Sequence, residues 1–116
     1  PNIVNVATIN AKNAMGALGN TSRTTMIDVP AEKIAKVNTI LICNIDGSNA
    51  ADVTIEVSND NGSTYYKLAS TISVPADATL SFLENPIYLD ETDLLAVTAS
   101  AANDLSYFVS YEEITD

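Results

Sequence analysis

Alternation of apolar and polar residues at a period of two recurs along this chain, and it limits the fold more than any other feature. Residues 52–59, DVTIEVSN, set Val53, Ile55 and Val57 against Thr54, Glu56 and Ser58. That is the pattern of a strand with one face buried and one face wet. KVNTILICNI (36–45) is rich in β-branched residues, ATLSFLE (78–84) predicts another strand, and IYLD (87–90) predicts a short edge strand after Pro86. SNDNGSTYYKLA supplies a turn at Asp60-Asn61-Gly62, where positive φ is tolerated, followed by a short strand at Thr64–Leu68. Near the end, DLLAVTAS (93–100) and LSYFVSYEEI (105–114) flank AAND and predict an antiparallel hairpin looping through Ala101–Asp104. In the last segment Leu105, Tyr107, Val109 and Tyr111 share one face and Phe108 lies on the other.

Helix signals are poor. PAEKIAKV (30–37) has room for one turn, and NAKNAMGALG (10–19), with two glycines, is expected as a loop or extended arm. About eight short strands separated by turn residues predict an all-β fold, an antiparallel β-sandwich of jelly-roll-like or Ig-like form. The expected core is Ile40, Ile42, Val53, Ile55, Val57, Leu95, Val97, Leu105, Tyr107 and Val109.

One short pattern occurs twice. IDVPAEKIAKV begins at Ile27, and ISVPADATLSF begins at Ile72. In each, two β-type residues (Ile27 and Val29, Ile72 and Val74) are expected to point inward before a proline ends the ladder. An extended pattern then resumes, and beyond it the copies diverge. Because the shared residues are mostly apolar, this reads as one structural corner used twice, with the chain passing from one sheet to the other.

A chain of 116 residues, 47% of them hydrophobic, has the size and composition of one folded domain. No apolar run is long enough to span a membrane, and the N-terminus lacks the basic start and apolar stretch of a signal peptide. Fifteen acids against five bases give a net charge of −10, which disfavours nucleic acid and anionic membrane surfaces as partners. The chain has no histidine, so the Ser–His–Asp and Cys–His arrangements are absent. Cys43 is the only cysteine and is expected as a small buried hydrophobe.

Two acidic stretches have the oxygen content of calcium loops: NIDGSNAAD, with Asp46 and Asp52, and LDETD, with Asp90 and Asp93. Neither follows the EF-hand spacing, and polar turn residues account for both, so no metal or cofactor is expected. Paired carboxylates able to work on a glycoside need a sugar cleft. A chain this short and without tryptophan has little room for one, and no catalytic residue is assigned. Tyr65 and Tyr66 are adjacent, so in a strand one faces the core and the other solvent, where it is available to a protein or sugar.

The order of a VPA corner, CNIDGSNAADVTIEVS, DNGSTYYKLAS, VPADATLSF, LDETDLLAVTAS and LSYFVSYEEI resembles small β-sandwich virion proteins of tailed bacteriophages, marine and cyanobacterial ones especially. The resemblance spans about residues 24–114. It implies a non-enzymatic structural protein of the virion, first of all a capsid decoration (cement) protein, with a neck, tail or fibre component as the alternative. The implied partners are major capsid or neck/tail subunits and further copies of itself as a homo-oligomer. A carbohydrate-binding module is the alternative of another class, weakened by an aromatic content of 6%.

The domain is expected over 23–116, with residues 1–22 either an arm that reaches a neighbouring subunit or the first strand of the same domain. Ile3, Val4, Val6, Ile9, Met15 and Leu18 make this segment more apolar than a solvated tail. With Tyr65 and Tyr66 they are the candidate interface residues.

Overall fold

The computed structural model describes residues 1–116. It contains no helix, and hence none long and apolar enough to cross a membrane. Nine strands run in order: β1 (Thr8–Ala17), β2 (Thr24–Asp28), β3 (Lys33–Asn44), β4 (Ala51–Ser58), β5 (Tyr66–Val74), β6 (Thr79–Ser81), β7 (Ile87–Leu89), β8 (Leu94–Ala99) and β9 (Leu105–Thr115). They form two antiparallel sheets packed face to face. The first has the order β1-β9-β3, with β6 and β7 lying end to end along the far side of β3, and the second has the order β2-β8-β4-β5. Counting β6 and β7 as one broken strand gives eight strands in jelly-roll order.

Inward residues of both sheets make a single core. Val37, Ile40, Ile42, Val53, Ile55, Val74, Leu95, Leu105 and Val109 are completely buried. Eight of the ten expected core residues are buried, while Val57 and Tyr107 pack on the rim half-buried. Bulges at Met26 in β2 and Asn38 in β3 each insert one extra residue, and the inward set resumes beyond them.

The repeated corner does pass the chain between sheets. Pro30-Ala31-Glu32 links β2 of the second sheet to β3 of the first, and Pro75-Ala76-Asp77 links β5 to β6 in the same sense. The acid after each Ala has positive φ, 65° at Glu32 and 60° at Asp77. This is the third position of a type II-like turn, which most side chains avoid and which Asp tolerates better than most. The Ala78 N–H closes the second corner onto the Pro75 carbonyl at 3.1 Å. Thr92 (φ 65°) holds the equivalent position in the β7–β8 connection, and Asn103 (φ 67°) also has positive φ in the β8–β9 connection.

The structure corrects several expectations. β8 and β9 are not a hairpin: β8 pairs β2 and β4, β9 pairs β1 and β3, and residues 100–104 bridge the two sheets. The pattern ends in turn residues either way, and a short arch and a hairpin loop are alike in composition. The hairpin at Asp60-Asn61-Gly62 is real, but its second strand begins at Tyr66 and runs to Val74. Ile72, expected inward, stands opposite Val53 yet is 40% exposed, because β5 is an edge strand bulged at Thr71. Cys43 is half-buried outside the core cluster. The segment over 10–19 is mostly strand. Its Gly16 lies under the Tyr107 ring, where a Cβ would come within 3.0 Å of the phenol oxygen, so this glycine marks a close approach across the ladder rather than a break in it.

Candidate assembly surfaces

The N-terminal strand supplies the longest open edge. β1 pairs β9 residue for residue from Thr8↔Thr115 to Ala17↔Ser106, and its other side has no partner strand. Residues 4–13 are all exposed. β1 is therefore held by its backbone ladder and a few anchors rather than by burial. At its C-terminal end Leu18 enters the core at 2% exposure. On its inward side Lys12 Nζ lies 3.4 Å from the buried Glu113 carboxylate, whose other oxygen meets Lys33 Nζ at 3.0 Å. Burial alone pushes the Glu113 carboxyl up, but the two lysines together hold it below the usual carboxylate range.

Of the candidate interface residues in this segment, Val4, Val6, Ile9 and Met15 are exposed, Ile3 is half-buried, and Leu18 belongs to the chain's own core. The stretch before β1 follows the end of β9, with the Ala7 N–H donating to the Thr115 carbonyl at 2.8 Å and the Asn5 N–H to Asp116 at 2.8 Å. No acidic residue precedes Asp28, so all fifteen acids lie beyond the N-terminal strand. The open edge is the non-acidic part of a strongly acidic molecule.

Neither tyrosine reaches the core, although one of the two was expected there. Tyr66 is 61% exposed on the β5 edge. Tyr65 is half-buried, with the Arg23 guanidinium 3.8 Å from its ring centroid. Arg23 also meets both carboxylate oxygens of the buried Glu56, at 3.2 and 3.4 Å. The Gly62 backbone lies close to both Tyr65 and Leu94. The β4–β5 loop thus folds over the outer face of the second sheet and covers Leu94.

Three of the four acidic candidates, Asp46, Asp90 and Asp93, have carboxylates that accept hydrogen bonds within their own turns. Asp46 Oδ1 accepts from the backbone N–H of Ser48 (2.7 Å) and Asn49 (3.0 Å), and these bonds hold its carboxyl below the usual range. Asp93 accepts from the Asp90 N–H at 2.9 Å, Asp90 from the Glu91 N–H at 2.7 Å, and Glu91 from the Glu32 N–H at 2.8 Å. The Asp52 backbone is tied to Ser100 through the Ser100 hydroxyl and N–H. Nowhere do three or more acidic or sulfur ligands converge as a metal site requires. Asn44 closes this end of the sandwich. Its amide donates to the carbonyls of Asn49 (2.9 Å) and Val74 (3.0 Å), and its oxygen accepts from the Asp46 N–H at 2.9 Å. Its place at the end of a β-rich run was visible in the sequence, but its three partners were not.

No protein-family model and no curated protein sequence matches the chain. Among solved structures, a protein of the Bacillus endospore appendages, described as a novel family of disulfide-linked pili, superposes at a TM-score of 0.55 and 16% identity, over 93% of this chain and 88% of that one. The Drosophila NLP core, described with pentamer formation and histone binding, gives 0.49 and 11% over 90% and 96%. A pentameric capsid protein from metagenomic phage sequences gives 0.40 and 20% over 91% of this chain and 60% of that one. The first likeness is one of fold, and the other two superpose too loosely to carry an argument.

Proposed function

We propose that this protein is a structural subunit of a tailed-phage virion, acting by binding rather than catalysis, and that its place is on the outside of the capsid as a decoration protein. The observation that carries this reading is β1: a ten-residue edge strand, exposed over most of its length, free of acids and open along one side. Natural sheets blunt such edges with charge, proline or cover. Here a single lysine, Lys12, is the only charge, and it is turned toward Glu113. An edge left in that condition suits strand addition by, or to, a neighbouring subunit. The pilus-forming appendage protein supports the reading, since the shared fold there builds a repeating assembly. The acidic remainder suits a surface facing solvent and gives solubility to a protein present in many copies.

Subunit-resolution imaging of purified particles tests the location. Density for this chain on the outer shell is expected, and density confined to the neck or tail would move it to the alternative component. Deleting residues 1–13 tests the edge. Leu18 stays in place, so the shortened protein should fold, with a lower melting temperature, but fail to join the particle. Normal incorporation would exclude β1 as the docking element.

A further inference from the structure

The two outer faces of the sandwich differ in kind. On the second sheet the outward positions include Thr25, Asp28, Asp52, Thr54, Glu56, Ala96 and Thr98, with Lys67 and Ser73 on β5 and with Leu94 covered by the β4–β5 loop. On the first sheet the outward positions form cross-strand rows that nothing covers. One row is Ile9–Ile114–Ile34, and another is Met15–Phe108–Leu41. Phe108, Leu41, Ile34 and Ile114 are half-exposed and lie outside the core cluster, while Ile9 is 57% and Met15 60% exposed. Between these rows lie Ala11–Glu112–Lys36, continued by Tyr88 (65% exposed), and Asn13–Ser110–Thr39. Lys36 and Glu112 are the only charges on the paired outward positions, and neither takes part in an ion pair within the chain.

We infer that the outer face of the β1-β9-β3-β6/β7 sheet is a self-association surface, and that its occupant is the same face of a second copy related by a two-fold axis. Three features select a second copy. The face is electrically balanced in a chain of net charge −10, so it is where two like-charged copies approach without repulsion. It is also self-complementary. A two-fold axis parallel to the strands between β3 and β9 lays each row on itself, so that Phe108 meets the partner copy's Leu41 position, Ile114 its Ile34 position, and Lys36 its Glu112 position. Its size fits as well. Four strands at about 4.8 Å and the eleven residues of β9 at about 3.3 Å each give roughly 700 Å² per copy, beside the roughly 800 Å² per partner of a standard interface. Sheets that pack face to face lie about 10 Å apart, a gap such side chains fill. This surface is separate from the β1 edge, so dimer and strand addition are compatible.

Sedimentation velocity on the full chain over a concentration series, from about 1 to about 200 µM, tests the inference. The wild type should pass from monomer to dimer in this range. Phe108→Lys should remain monomeric with unchanged circular dichroism, and Thr98→Lys, on the other sheet, should dimerise as the wild type does. Should Phe108→Lys misfold, Leu41→Thr with Met15→Thr keeps β propensity and should weaken the dimer at least about tenfold. Lys36→Glu and Glu112→Lys should each dimerise poorly, whereas an equimolar mixture of the two should form a heterodimer, because the two-fold axis pairs each altered residue with its complement. A wild type that stays monomeric, a Phe108→Lys dimer, or a mixture no tighter than its components overturns the inference. A solution dimer of a protein missing from purified particles would keep this interface and remove the virion reading; a virion protein that never dimerises would do the reverse.

Discussion

Replacing Asn44 by Ala removes one side chain and three hydrogen bonds. Asn44 is 1% exposed at the end of β3, and its amide reaches the carbonyls of Val74, where β5 ends in the opposite sheet, and of Asn49. Its oxygen takes the Asp46 N–H. Each such bond contributes about 1 kcal/mol net, and a buried group left without its partner costs about 1–3 kcal/mol. The Val74 carbonyl, in a buried contact, bears the full cost, while the other two groups lie nearer the surface and regain water. The sum is a loss of about 2–4 kcal/mol, or roughly 10 °C in melting temperature for a domain of this size. Urea unfolding with an unchanged m-value is the measurement. Asn44→Asp sharpens the test. It keeps the acceptor for Asp46 but loses both donors and sets a carboxylate against two carbonyl oxygens, so at neutral pH it should cost at least as much as Ala and recover partly on acidification. A loss below about 0.5 kcal/mol for the Ala variant would refute the view that this residue ties the two sheets together.

Ile55→Ala, at a fully buried site, should cost about 2–5 kcal/mol by the same unfolding assay. Thr92 is β-branched at φ 65°, so Thr92→Gly should relieve backbone strain and raise stability by up to about 1 kcal/mol, read as a small rise in melting temperature. Asp46, held down by the Ser48 and Asn49 N–H groups, Asp60, held down by the Thr64 N–H and the Ser58 hydroxyl, and Glu113 all have depressed native pKa values. Unfolding therefore takes up protons: their stabilisation is full above the ordinary carboxylate range, about 4, and is lost as pH falls through the lower native values, which acid titration of the melting temperature will show. EDTA should leave the melting temperature unchanged, and a drop of several degrees would reveal a bound divalent cation.

Local rules carried the reading of this sequence where one element decides the outcome. The alternation of Val53, Ile55 and Val57, or of Leu95, Val97 and Ala99, places an inward face whatever the strand pairs with. The Pro-Ala corners could be placed because proline ends a ladder irrespective of context. Pairing partners were less legible. Ala101–Asp104 is equally suited to a hairpin and to an arch, and the choice is made by β4 and β2 competing for β8. β1 was only partly legible, for a related reason. Its apolar positions are diluted by Ala, Asn and Gly, and its order comes from the backbone ladder on β9, which leaves little trace in side-chain pattern. The alternation along β9 is enough to set Phe108 apart from its inward residues. That Met15 and Leu41 flank it follows only from register across three strands.

The position of β9 has a consequence for synthesis. It lies between β1 and β3, yet it is made after both of them and after every other strand of the two sheets. Until it emerges, β1 and β3 have no common neighbour, and pairing that bridges most of the chain length is slow to form. A nascent chain can close the β4–β5 hairpin early, but it cannot build the sheet whose outer face carries Met15, Phe108 and Leu41. A product cut short before Leu105 lacks Phe108 and the ladder that sets Met15 and Leu41 beside it. The order of translation thus acts as a check, admitting only copies that carry β9 to any assembly that uses the surface.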